Sequence, residues 1–133
     1  MQARASGTFD VELNPLPAHG AATDPLLGRM SIDKTFRGDL EATSVGEMLS
    51  AMTSVKGSAG YVAVERVSGT LHGRSGTFML QHSGTMTRGA PQLVVSVVPD
   101  SGTGELAGLA GTLTIDVADG RHSYTLEYTL AAR

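Results

Sequence analysis

The chain contains no cysteine and no tryptophan. Without a thiol there is no disulfide, no thiolate zinc or iron–sulfur site and no cysteine nucleophile. Aromatic residues are scarce, three Tyr and three Phe in 133 residues. Charge is low as well: 17% of residues, with a net charge of -3. The few Lys and Arg are not clustered as phosphate binding requires, so neither nucleic acid nor an anionic membrane surface is an expected partner. No apolar run approaches the roughly 18 residues of a membrane span, and Met1 to Phe9 lack the apolar core of a signal peptide. The expectation is a soluble, cytoplasmic chain. Its length suits one domain, residues 1–133, with no room for a second core of ordinary size.

Glycine is abundant, 17 residues, and alternation of apolar with polar residues organises nearly every segment. Between Gly7 and Leu13 the apolar Phe9, Val11 and Leu13 interleave with Thr8, Asp10 and Glu12, the two-residue period of a half-buried strand. Asn14 to Leu26 collects Pro15, Pro17, Gly20 and Pro25 and reads as a long loop, a candidate lid. Met30, Ile32, Lys34 and Phe36 then resume the alternation, which sets one charged residue, Lys34, on an apolar face. Beyond a turn at Arg37 to Asp39, the same parity directs Leu40, Ala42, Ser44, Gly46 and Met48 inward. Val45 to Met52 also fits a short helix, because Met48, Leu49 and Met52 share a helical stripe.

Two hairpins follow. Around His72-Gly73-Arg74-Ser75, a two-residue type II′ turn with Gly73 first pairs His72 with Ser75. Counting outward sets Val67 opposite Leu80, Glu65 opposite His82, Ala63 opposite Gly84 and Tyr61 opposite Met86, all on one face. A second turn at Asp119-Gly120 sets Val117 opposite His122, Ile115 opposite Tyr124 and Leu113 opposite Leu126, again with matching apolar faces. Between them, Gln92 to Val98 is apolar on both faces, with Val94 and Val98 awaiting cover from a loop or a partner subunit. The expected fold is all-β: a closed antiparallel barrel of about eight strands, because closure removes the edges that a valine-rich strand would otherwise expose.

The stretch Ser101 to Gly111 has the glycines of a phosphate loop but none of its context: no Lys-Ser or Lys-Thr follows and no βαβ unit surrounds it. It reads as a structural connection. Val98-Pro99-Asp100-Ser101-Gly102-Thr103-Gly104-Glu105-Leu106, together with Tyr61 to Leu71 and Gly76 to His82, resembles a bacterial family known as domain of unknown function 3224 over nearly the whole chain. That family is grouped by fold with the allene oxide cyclase barrels, and the Gly102-Thr103-Gly104 turn looks like that of plant allene oxide cyclases and dirigent proteins. The resemblance implies an allene oxide cyclase-like, eight-stranded barrel with an interior cavity. It implies no reaction, since the nearer family has no assigned activity.

Glu65 and His82 are the candidate catalytic residues. Side by side on an apolar face, they form either a general acid/base unit, with Glu65 fixing the tautomer of His82, or a buried pair that satisfies itself and specifies register. Lys34 either neutralises Glu65 or holds an anionic ligand, or else snorkels to the barrel mouth. Tyr61, Tyr124 and Tyr128 share inward parity and are candidate ligand-binding residues, with packing as the alternative use. His19, His72 and His122 are scattered, so no metal site is expected, and no cofactor is called for. No Gly-x-Ser-x-Gly elbow is present. The function that follows is binding of a small apolar molecule inside the barrel, with isomerisation or cyclisation as the proton-transfer chemistry that Glu65 and His82 would support. The alternative is a non-catalytic interaction or structural barrel acting through an outer face. Either way, the two-faced strand predicts a homo-oligomer.

Overall fold

The computed structural model describes residues 2–17 and 26–130. Among these residues eight strands succeed one another: β1 (Gln2–Pro15), β2 (Leu27–Gly38), β3 (Leu40–Met52), β4 (Ala59–Leu71), β5 (Arg74–Thr87), β6 (Ala90–Val97), β7 (Ala110–Ala118) and β8 (Arg121–Thr129), with a 3-10 turn, Gly104–Leu106, between β6 and β7. Each pairs antiparallel with the next, and β1 pairs with β8, closing the barrel. Val45 to Met52 is strand, continuing the two-residue burial pattern that starts at Leu40. Asn14 and Pro15 end β1; most of the segment read as a lid, His19 included, lies outside the described residues. No helix among the described residues is long and apolar enough to cross a membrane.

The second hairpin has the expected register, Val117 with His122 and Leu113 with Leu126. The first is corrected. Its turn residues are His72 and Gly73, both at positive φ (47° and 80°), so Leu71 pairs with Arg74. Gly73 occupies the second turn position of a type I′ turn, whose twist matches that of the strands, and His72 is among the few side chain types that tolerate φ > 0. The pairing therefore slips by two residues: Glu65 faces Leu80 and Ala63 faces His82. A slip of two leaves every side chain on its face. Glu65 and His82 remain inward but as diagonal neighbours.

The interior differs at its two ends. At one end Val67, Leu71 and Phe78 meet Leu106 and Leu109 from the β6–β7 connection, all of them buried. The glycine-rich connection is bonded to β5 by Thr103 N to Thr77 O (2.8 Å), Met79 N to Ser101 Oγ (3.0 Å) and Ser75 N to Glu105 Oε1 (3.0 Å), so it plugs this end. At the other end Leu13, Met52, Met86, Leu93 and Val117 have inward parity yet are exposed, Val117 by 61%. That end is open. The wall also parts there. Described pairing between β6 and β7 is confined to Val95 with Leu113 and Ser96 with Thr112. Pro91, near the start of β6, has no N–H to donate across the gap.

Candidate functional site

Four adjacent strands each place one polar side chain inside the barrel, just below the open end: Lys34 (β2), Ser44 (β3), Glu65 (β4) and His82 (β5), each less than a tenth exposed. Gly46 on β3 lies opposite Glu65. A Cβ there would sit 2.8 Å from Glu65 Cβ and 2.2 Å from Val64 O, so glycine is what lets β4 approach closely with its carboxylate turned inward. Glu65 is the hub. Its Oε1 accepts from Ser44 Oγ (2.7 Å), while Oε2 accepts from Lys34 Nζ (2.8 Å) and His82 Nε2 (2.5 Å). Lys34 does not snorkel: its ammonium turns inward, 5.0 Å from the centre of the Phe9 ring and 5.8 Å from that of Phe36.

Burial alone would push the Glu65 carboxyl up, but the His82 hydrogen bond, the charge and hydrogen bond of Lys34 and the Ser44 hydroxyl together outweigh it and bring it down to about 2. The carboxylate is therefore ionised and only accepts, which places the proton of His82 on Nε2. The other ring nitrogen, Nδ1, has no hydrogen-bond partner among the described residues, and no enclosed side-chain nitrogen or oxygen among them is left without one. His82 lines the space above it, and Nδ1 is the ring nitrogen not engaged by Glu65.

That space is a cavity of about 320 Å³. Its wall is mostly apolar, with Phe9, Val11, Ile32, Leu93 and Ile115 among its residues, and its polar groups are Lys34, Tyr61, His82 and His122. It shares Met48, Tyr61 and Leu93 with a second hollow of about 360 Å³ nearer the rim, where Met30, Met52 and Met86 collect. The Tyr61 ring occupies the room left by Gly84, whose Cβ would come within 2.5 Å of it. Burial, then the charge of Glu65, raises the pKa of the Tyr61 phenol.

The expected site residues therefore separate. Lys34, Tyr61 and His82 line the cavity, and Glu65 stands behind two of them without lining it. Tyr124 and Tyr128 belong to the plugged end. The Tyr124 hydroxyl accepts from Leu40 N (2.9 Å) and donates to Arg37 O (3.0 Å), tying the β2–β3 turn. Tyr128 meets His72 Nδ1 at the first hairpin (2.5 Å). Ser44, His122 and the rim methionines were not singled out from sequence; inward parity marked Ser44 and Met48, and nothing distinguished His122 from a strand-start residue. Among the described residues no group of three or more His, Asp or Glu is arranged to hold a metal ion.

The family model for a protein of unknown function (DUF3224) matches residues 5–128. Among solved structures, the chain is similar to a protein with unknown function from the DUF3224 family of Shewanella oneidensis MR-1, with 51% identity, 100% of both chains covered and a TM-score of 0.93. No curated protein matches.

Proposed function

We propose that this chain, which belongs to the DUF3224 family, binds a small, mostly apolar molecule in the open half of its barrel and moves a proton on it through His82. The observation that carries the reading is the convergence of Lys34, Tyr61 and His82, with His122, on one mostly apolar cavity. Cavities of this size that bury a few oriented polar groups suit small ligands. The His82–Glu65 arrangement supplies a base whose tautomer is set by the carboxylate behind it. In this scheme Glu65 positions and His82 acts. An allene oxide cyclase-like relationship, and with it isomerisation or cyclisation as the reaction class, belongs to the same proposal.

The test is titration with Nile red, a neutral dye whose emission shifts in apolar surroundings. Saturable binding at one site is expected, and Ile115→Trp, which fills the cavity from a half-buried position, should remove it. Equal binding by Ile115→Trp would place the dye elsewhere and overturn the reading.

A second reading has its own observation. Leu49, Val62 and Val94 lie in one row across β3 to β6, with Ser83 between the last two, and each of the three is about half exposed. Such a row suits the homo-oligomer as the site where a second copy packs. It is compatible with the cavity, since outward residues alternate with inward ones along every strand.

A further inference from the structure

The polar side chains lining the described cavity are Lys34, Tyr61, His82 and His122, and of these His82 presents Nδ1, an acceptor. Lys34 has donors only, two of its N–H bonds lie beyond the one given to Glu65, and Tyr61 offers a phenol O–H. No carboxylate, side-chain amide or aliphatic hydroxyl is among the lining residues. The acid nearest by, Glu65, already accepts from Ser44, Lys34 and His82. Strand carbonyls of β2 to β5 beneath the wall are committed to the ladder. A ligand that brought an ammonium would face the Lys34 charge with no carboxylate in the lining to pair it. A ligand that brings an acceptor oxygen is matched.

We infer, on the reading just proposed, that the cavity takes an apolar molecule carrying a carbonyl oxygen and enolises it. His82 Nδ1 removes a proton from the carbon beside the carbonyl. The C–H electron pair becomes the carbon–carbon double bond, the carbonyl π pair moves to oxygen, and that oxygen takes hydrogen bonds from the Lys34 ammonium and the Tyr61 phenol. Return to the same carbon, after the proton on Nδ1 has been replaced from solvent water, gives exchange. Return to the far end of a conjugated enolate shifts the double bond, an isomerisation. Nothing else is consumed, and the imidazole ends as it began. Lys34 Nζ and His82 Nε2 both bind the same oxygen of Glu65, so base and oxyanion donor are held together by one buried carboxylate. Burial and the neighbouring carboxylate also keep the Tyr61 phenol protonated, as the donor role requires.

The experiment uses the intact chain with benzylacetone, its alcohol and the corresponding primary amine. Displacement of Nile red reports binding, and proton NMR in heavy water reports loss of the protons beside the carbonyl. Expected are displacement by the ketone but not by the amine, and exchange faster than with His82→Gln by about 10²-fold or more. Excess Nile red should suppress exchange in the wild-type chain, a check that needs no variant to fold. Displacement by the ketone without exchange above His82→Gln overturns enolisation and leaves the binding cavity standing. Displacement by the amine as strong as by the ketone overturns the ligand class. Failure of the dye itself to bind removes the reading on which both rest.

Discussion

Glu65→Gln keeps the shape of the side chain and removes its charge, and its consequence depends on pH in a direction the structure specifies. The folded-state carboxyl is brought from 4.5 to about 2. At about 1.4 kcal/mol for each tenfold in the ionisation equilibrium, this amounts to about 3 kcal/mol of stability. Because the folded value lies below the unfolded one, that contribution is fully present above about pH 4.5 and disappears as pH falls toward 2. Solvent does not screen it, since Glu65 is 1% exposed. The amide cannot ionise, so the variant leaves the Lys34 ammonium without its counter-charge, a loss of about 3–5 kcal/mol for a broken buried pair. The variant should thus be much the weaker protein near neutrality, and the gap should narrow by about 3 kcal/mol on acidification, or about 10 °C in Tm for a domain of this size. Thermal melts of both proteins across this range measure the gap directly. Subtracting one from the other also removes the exposed pairs Arg4–Glu127 and Arg29–Glu47 from the comparison. A gap that stays constant, or widens as acid is added, would refute an ionised Glu65 held by Lys34 and His82.

Other outcomes are expected from single contacts. Tyr124→Phe deprives the Leu40 amide of its acceptor at the plugged end, and urea unfolding should show a loss of about 1–3 kcal/mol with Nile red binding at the far end unchanged. Leu106→Ala removes a fully buried plug residue and should cost about 2–5 kcal/mol in the same assay. Val62→Glu puts a charge at the centre of the exposed row on β3 to β6; sedimentation should show a monomer where the wild-type chain shows a larger species, and a wild-type monomer would remove the oligomer.

Strand identity and facing were legible because a two-residue period needs no tertiary information. Phe9, Lys34, Ser44, Glu65, His82 and Tyr124 all point inward as their parity requires. The Asp119-Gly120 register was legible too, since a turn with both residues at positive φ suits that pair of residue types. At His72-Gly73 the pattern was degenerate: two registers two residues apart give the same faces, and only the paired strands choose between them. Parity also says nothing of depth along the barrel axis. Depth is what sends Tyr124 and Tyr128 to the plugged end and Tyr61 to the cavity, and it comes from the stagger accumulated around eight strands at closure. The direction of Lys34 was undecidable for a related reason. A long side chain with an apolar stem can leave a barrel or stay in it, and here it stays because Glu65, brought within 2.8 Å by two intervening strand pairings, offers a buried counter-charge that no local segment contains.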